Sequence, residues 1–192
     1  MSLTMHQDRF LSGYEQTLDQ LRDFFSEREP VVIKKGESFI RYGEQNRRMG
    51  LLLNGLMYAT YLSENGQEWI SRFYYTPGNS IVSSYETFVS ARKSPEWIRA
   101  YEDSELIIIE RSEYEDLLDQ SPAFERMVRI MAEESYIQAL KRVHSLQSLS
   151  ASQRVKSFMK EHSEIVSRVQ RQHVASYLGI HRNIFTRILN SI

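Results

Sequence analysis

Residues 170–190 read QRQHVASYLGIHRNIFTRILN, and this stretch decides the fold of the C-terminal part of the chain. It predicts two short helices joined by a tight turn, because Gly179 follows Leu178 as a helix-terminating glycine. Two helices that cross closely need a small residue where they meet, and Ala175 supplies it. Apolar residues fit the positions expected to face inward, which are Val174, Leu178, Ile180, Ile184 and Ile188. Together these features are typical of a helix-turn-helix.

The same end of the chain is strongly basic. From Lys141 to Ile192 there are nine lysines and arginines against two acids, a net charge of +7, whereas the rest of the chain carries −8. Polar and basic side chains should face outward near the start of the second helix, and these are Arg182, Asn183, Thr186 and Arg187. An acidic body with one basic module is typical of a protein that binds a polyanion. We therefore expect residues 170–190 to bind double-stranded DNA; a purely structural helical hairpin with a solvated basic face is the alternative.

Composition argues against an enzyme. The chain has 192 residues and no cysteine, which excludes disulfides, thiolate zinc sites and cysteine-ligated iron–sulfur clusters. None of the five histidines lies between residues 31 and 110, where a metal-dependent β-barrel enzyme would need its ligands. Nucleophilic serine motifs and phosphate-binding glycine loops are also absent from the sequence. We expect no catalytic residues, no metal and no cofactor.

The sequence also lacks targeting signals. No apolar run approaches the roughly 18 residues that a membrane-spanning helix needs. The first ten residues include Asp8 and lack the apolar segment of a signal peptide. We expect a cytoplasmic protein without a membrane partner.

Residues 31–110 have the texture of a β-domain. Glycines at 36, 43, 55, 66 and 78 place turn signals at the spacing of an all-β sandwich or barrel. Asn65-Gly66 predicts a two-residue hairpin loop, and Pro77-Gly78 predicts a second turn. Residues 105–110 enclose four consecutive apolar side chains, which predicts a short strand buried on both faces.

Helices are predicted on both sides of this β-region. Residues 8–29 carry apolar side chains at helical spacing and end at Pro30. After residue 110, each predicted helix opens with a capping pair or a proline. The signals are Ser112 with Glu115 for a short helix, Ser121 with Pro122 for a helix to about Leu146, and Ser150 with Gln153 for a helix to about His162.

The longest of these helices has an apolar stripe wider than a single packed face requires. It is expected to contact both its own β-domain and a partner helix in a homodimer. The alternative is that its whole length lies along its own body. Candidate dimer residues are Met127, Ile130, Met131, Ile137 and Leu140.

At residues 170–190 the sequence resembles the DNA-binding helices of the Crp/Fnr family, the relatives of the cyclic AMP receptor protein. The resembling residues are Arg171-Gln172, Val174, Leu178-Gly179, Arg182 and Thr186-Arg187-Ile188-Leu189. The resemblance continues upstream to about residue 30, where short motifs stand at the turns of a cyclic-nucleotide-binding-like jelly roll. These motifs are Lys35-Gly36-Glu37, Gly43-Glu44, Leu53-Asn54-Gly55, Asn65-Gly66-Gln67-Glu68, Thr76-Pro77-Gly78-Asn79 and Ile98-Arg99-Ala100.

The resemblance implies an α+β fold in three parts. These are a cyclic-nucleotide-binding-like β jelly roll over residues 1–120, a long dimerisation helix over 121–148 and a helix-turn-helix domain over 149–192. The implied function is a sequence-specific transcription regulator that binds double-stranded DNA as a homodimer and contacts RNA polymerase. The alternative is a ligand or protein interaction module of the same fold that does not bind DNA.

The same resemblance implies a role in DNA contact for individual side chains, according to their positions. Arg182, Asn183 and Arg187 should face base edges, and Arg171, His181 and Thr186 should contact phosphates. Many relatives have glutamate where Asn183 stands, so the target sequence should differ. Many have Ser or Thr where His181 stands, so a poorer helix cap is expected. No wing is expected after residue 192, which implies a minimal DNA-binding domain.

The β-domain departs from the family's nucleotide site. Its Gly-Glu and Arg-Ser pairs align with Ser83-Ser84 and Ser94-Pro95, so the phosphate-binding arginine is missing. Arg92, Lys93 and Glu86 could substitute only if their loops shifted. Cyclic AMP is therefore not the expected effector; another small molecule, or a filled core without a ligand, is expected instead. The residues of the equivalent pocket are Ser83, Ser84, Tyr85, Glu86 and Trp97.

Overall fold

A computed structural model of the chain describes residues 16–76 and 78–191, and within them the fold is α+β. The strands are β1 (Val31–Ile33), β2 (Ser38–Ile40), β3 (Arg48–Asn54), β4 (Leu56–Leu62), β5 (Glu68–Tyr75), β6 (Ile81–Val82), β7 (Glu96–Ala100) and β8 (Ser104–Glu110). The helices are α1 (16–24), α2 (Tyr85–Ser90), α3 (Arg111–Gln120), α4 (Pro122–Ser148), α5 (Ala151–Glu161), α6 (Ser163–Val166), α7 (Arg171–Tyr177) and α8 (Arg182–Leu189).

The strands form two four-stranded sheets. The first has the order β1-β8-β3-β6 and the second the order β2-β7-β4-β5. Pairing in the first sheet is antiparallel throughout, as is the pairing of β2 with β7. This alternation of distant strands is the double Greek key of a jelly roll, and it confirms the predicted fold class.

Strand β8 separates two hydrophobic clusters, because its successive side chains point to opposite faces of the first sheet. Leu106 belongs to the cluster between the two sheets, and Ile107 and Ile109 belong to the cluster between the first sheet and the helices. The prediction of a strand buried on both faces is therefore confirmed. The outer cluster is covered by α1, α3 and α4 and by Phe25, which follows α1; the helix residues are Leu18, Leu21, Tyr114, Phe124, Met127 and Met131.

The β4–β5 hairpin differs from its prediction. Ser63 and Gln67 close the loop, since the Ser63 N–H donates to the Gln67 carbonyl at 2.9 Å, and three residues lie between them. Within the loop Gly66 has φ +80°, while Asn65 has no positive φ. A two-residue loop of the predicted kind needs positive φ at both central positions, and the structure has a three-residue loop instead. Pro77, in the second predicted turn, lies outside the described residues.

Helix starts were predicted correctly at two of three positions. Ser150 and Gln153 form a reciprocal capping box at the start of α5, and α4 begins at Pro122 with Ser121 Oγ accepting from the Phe124 N–H at 3.2 Å. The capping box at Ser112 is wrong. Helix α3 begins at Arg111, directly after β8, and the Arg47 carbonyl satisfies the free Arg111 N–H of its first turn at 2.9 Å.

The predicted N-terminal helix is described only from residue 16, and its earlier part lies outside the described residues. The helix ends at residue 24, and residues 25–28 form a turn and a bend before Pro30, so the expected end at residue 29 is wrong. Leu18, Leu21 and Phe25 are buried, whereas Phe24 is 44% exposed. The apolar spacing therefore identified the covered face of this segment.

The chain divides into two compact units, and the division falls within α4. The first unit comprises the described residues through Ala59 together with Phe73–Ser135. The second joins Thr60–Arg72, the tip of the β4–β5 hairpin, to the chain from Tyr136 onward. In neither unit is any described helix both long enough and apolar enough to cross a membrane.

Candidate nucleic-acid interface

Helices α7 and α8 are joined by a tight turn around Gly179. Gly179 has φ +63°, in the left-handed region that favours glycine. The Ile180 N–H donates to the Ala175 carbonyl at 3.1 Å, and the Gly179 N–H donates to the Ser176 carbonyl at 3.0 Å. These two bonds are the Schellman motif, which satisfies the last carbonyls of α7. The turn expected at Gly179 therefore has the geometry of a helix-turn-helix.

Buried apolar side chains support both helices. Val174, Ala175 and Leu178 of the first helix are at most 3% exposed, and Phe185 of the second is 1% exposed. Ile184, which was expected to face inward, is instead 37% exposed. Because α8 begins at Arg182, Phe185 takes the inward position, and Ile184 lies one residue, about 100°, away around the helix.

The predicted DNA-contacting side chains lie at the surface of this unit. Arg171, His181, Arg182, Asn183 and Arg187 are exposed, and Thr186 is half-buried. In α8 Arg182 and Thr186 are neighbours on one face, as are Asn183 and Arg187, since residues four apart share a helix face. Across residues 16–76 and 78–191, no ion pair uses Arg171, Arg182 or Arg187. Their positive charges are therefore available to an external anion.

His181 is the N-cap of α8. Its Nδ1 accepts the Asn183 N–H at 3.3 Å, so the ring satisfies one of the free donors at the start of the helix. A poorer cap was expected at this position, and the only sign of it is that this hydrogen bond is long. An accepting Nδ1 assigns the proton of the neutral ring to Nε2, which faces away from the helix as a donor.

The candidate dimer residues of α4 divide between the two units. Met127 and Met131 are buried in the cluster that covers the first sheet. Ile130 and Ile137 are half-buried, and Leu140 is 50% exposed. A stripe at spacings of four, three and three residues continues from there, and its members Tyr136, Leu140, Val143 and Leu146 are between 42% and 66% exposed.

The candidate effector residues do not converge on one cavity. Ser83 and Ser84 are buried, whereas Tyr85 is 55% exposed and Glu86 lies beside Arg92 at the surface, 3.6 Å apart. Trp97 lies on β7 between positions whose side chains point into the barrel, so it projects from the outer face of the second sheet. There its Nε1 donates to Ser38 Oγ at 2.8 Å.

The two segments aligned with the family's nucleotide site, Ser83-Ser84 and Ser94-Pro95, contact each other, but the contact contains no charged group. Ser94 Oγ lies 2.9 Å from Ser84 Oγ and donates to the Glu96 carbonyl at 2.8 Å. Nearby, the fully buried Tyr74 donates its hydroxyl to the Ser83 carbonyl at 3.1 Å, so its ring fills the space between the sheets. A hydroxyl pair cannot neutralise a buried phosphodiester as an arginine does.

Arg142 and Tyr177 were not singled out in the sequence. The Arg142 guanidinium lies 4.0 Å from the centre of the Tyr177 ring, and Nη2 donates to the Tyr177 carbonyl. The two residues are 35 positions apart, so no local pattern connects them. Elsewhere, the described part of the chain contains no group of three or more histidines and acids suited to a metal ion.

Solved structures share this architecture along most of the chain. FixK2 from Bradyrhizobium japonicum matches with a TM-score of 0.71 at 18% identity over 84% of this chain and 82% of its own. CLP, the c-di-GMP responsive global regulator of Xanthomonas campestris, matches with a TM-score of 0.69 at 16% identity over 89% of both chains. A protein assigned to the Crp/Fnr family of transcriptional regulators, from Eubacterium rectale, matches with a TM-score of 0.64 at 20% identity over 84% and 76%.

The sequence itself matches no family model and no curated protein. At these identities the structures establish the fold: the chain has the Crp/Fnr-like fold, with a cyclic-nucleotide-binding-like jelly roll, a long helix and a helix-turn-helix. This confirms the architecture that the sequence resemblance implied.

Proposed function

We propose that this protein is a sequence-specific, DNA-binding transcription regulator of the Crp/Fnr type. The observation that carries the proposal is the outward face of α8, where Arg182, Asn183 and Arg187 are exposed and the two arginines have no ion pair among the described residues. Arginine donates two hydrogen bonds to guanine, and asparagine pairs likewise with adenine. This set of side chains can therefore discriminate base pairs in the major groove.

Phosphate contacts would come from the edges of the same surface. Arg171 stands at the first position of α7, where its exposed guanidinium can reach a phosphate. His181 Nε2 and the Thr186 hydroxyl are further donors. The net charge of +7 from Lys141 onward supplies the long-range attraction.

The proposed regulator is a homodimer. One short recognition helix reads only a few base pairs, whereas two helices at half-sites about 34 Å apart select a site in a genome. The exposed apolar stripe of α4, Tyr136, Leu140, Val143 and Leu146, has the three- and four-residue spacing that a parallel helix pair buries. We therefore propose the C-terminal half of α4 as the dimer contact, with Ile137 at its edge.

Cyclic AMP is not proposed as an effector of the β-domain. Ser84 and Ser94 stand where a phosphate would need an arginine, and Arg92 lies at the surface beside Glu86. The alternative function, an interaction module without DNA binding, would leave the exposed arginines of α8 without a role. Incubation with random duplex at low salt separates the two functions, because only a DNA-binding protein would retain the duplex.

The decisive test is in-vitro selection of bound duplexes followed by two matched substitutions. Arg187→Ala should cost about 1–3 kcal/mol at the selected site and relax the base preference at one position. Lys156→Ala removes an equal charge from an exposed position of α5. It should weaken binding to all sequences equally or have little effect. If both variants acted alike on selected and random DNA, α8 would not be the reading helix. Recovery of no preferred sequence would contradict the proposal itself.

A further inference from the structure

The end of helix α7 is held by contacts from a distant part of its own unit. Arg142 of α4 covers the Tyr177 ring and donates to the Tyr177 carbonyl, so one guanidinium holds both the side chain and the backbone. One turn further along α4, Leu146 lies beside the turn: a Cβ atom added at Gly179 would lie 3.2 Å from Leu146 Cδ2. The C-terminal part of α4 therefore packs directly against the helix-turn-helix.

The β4–β5 hairpin contacts the same helix end. The Ile70 N–H donates to Ser176 Oγ at 3.0 Å, and Ile70 is 5% exposed. Strand β5 is the last strand of its sheet, so this edge donor has no further strand to pair with and is satisfied by the helix instead. Ser176 and Tyr177 are thus held from two sides.

The contact between Arg142 and Tyr177 is partly buried. Burial lowers the pKa of Arg142 and raises the pKa of Tyr177, in both cases as the largest cause. The Tyr177 ring also lies near the rings of Phe158, at 5.4 Å, and His162, at 6.5 Å. Because the ring has these neighbours besides Arg142, its rotation away from the guanidinium is restricted.

The chain between α4 and α5 would otherwise permit rotation. Helix α4 ends at Ser148 and α5 begins at Ala151, and between them Ser150 has extended backbone angles of φ −64° and ψ 159°. A two-residue connection of this kind can act as a hinge. The contact of Arg142 with Tyr177 closes a second connection across it.

We propose that Arg142, acting through Tyr177, sets the distance and rotation between the two recognition helices of the dimer and so determines which half-site spacing is bound. The inference rests on the proposed function, because it takes α4 as the dimer axis and α8 as the reading helix. Arg142 is a positioning residue: it contacts no base, and the base preference of each half-site belongs to α8. Arginine suits this role because its planar group can stack on a ring and donate in its own plane at once, which lysine cannot do.

The test is a set of duplexes that carry the selected half-sites at spacings changed by one or two base pairs. Each added base pair moves a half-site by about 3.4 Å and turns it by about 35° around the DNA axis. The wild-type protein should prefer one spacing. Arg142→Ala and Arg142→Lys should flatten that preference while leaving affinity for an isolated half-site and its base preference unchanged. Lys141→Ala, the neighbouring exposed charge, should keep the wild-type spacing profile.

The outcomes distinguish a failure of the inference from a failure of the proposed function. An unchanged spacing profile in folded Arg142→Lys, with far-ultraviolet circular dichroism equal to wild type, would overturn the inference and leave the proposed function standing. If Arg142→Ala unfolds, Arg142→Lys and Tyr177→Leu decide in its place, since the first keeps charge and the second keeps the guanidinium but removes the ring. A wild-type protein that binds no duplex at any spacing would contradict the proposed function instead.

Discussion

The two compact units of this molecule place their apolar and charged side chains differently. In the first unit, one cluster fills the space between the sheets and another covers the first sheet with helices, and the side chains of both are nearly inaccessible. In the second, the buried apolar side chains are few, and the longest exposed apolar stripe and the exposed arginines of α8 lie at the surface. A filled interior leaves little room for ligand chemistry, whereas an exposed, charged surface is suited to binding. The first unit therefore supplies most of the stability, and recognition is expected from the second.

The largest expected effect tests whether the first unit is filled. Tyr74→Ala should lower the free energy of unfolding by about 3–5 kcal/mol, because Tyr74 is fully buried between the sheets and its removal leaves a cavity. Tyr74→Phe keeps the ring and removes only the hydroxyl that donates to Ser83, so it should cost about 1 kcal/mol. Urea unfolding followed by circular dichroism measures both. A small loss for Tyr74→Ala would mean that the interior has space to rearrange, and the case against a ligand there would weaken.

A smaller effect is expected in the second unit. Phe185→Ala should cost about 3 kcal/mol, since Phe185 is 1% exposed, and its neighbour Ile184→Ala should cost less than about 1 kcal/mol because Ile184 is 37% exposed. Thermal unfolding of the two variants provides the measurement. Equal losses would show that the inward face of α8 is assigned incorrectly, and with it the outward set of Arg182, Asn183 and Arg187.

The smallest expected effect is a change in the pH dependence of stability, and it arises from a histidine of the second unit. Burial lowers the pKa of His162, and this outweighs the opposing influence of Glu161. The unfolded chain therefore takes up a proton first as pH falls below about 6.5, so stability is full above that pH and decreases below it. His162→Phe should reduce the loss of melting temperature between pH 7.5 and 5.5, while His144→Gln, at an exposed position of α4, should not. The same loss in wild type and His162→Phe would assign the pH dependence to other groups.

Local sequence signals predicted much of this fold because their physics is local. A glycine after an apolar residue closes α7, a serine with a glutamine three residues later opens α5, and a proline opens α4. Each of these features depends on backbone groups within a few residues. The jelly roll was predictable at the level of architecture, because its turns recur at regular spacing.

It was less predictable which face of its helix or strand each side chain occupies. In α8 the inward position belongs to Phe185 and not, as expected, to Ile184, and the alternation of β7 turned Trp97 outward while Ile98 entered the barrel. Both errors arise because a one-residue change moves a side chain to another face of its helix or strand.

By itself the sequence determined the kinds of elements, their order and the basic character of the C-terminal end, since helix caps, turn residues and charges act over short distances or simply add. The tertiary structure alone decided which residues meet across long separations. Arg142 and Tyr177 are 35 positions apart, and Ile70 and Ser176 are 106 apart. Such pairs depend on how packed elements are placed in space, and no spacing rule along the chain encodes that placement.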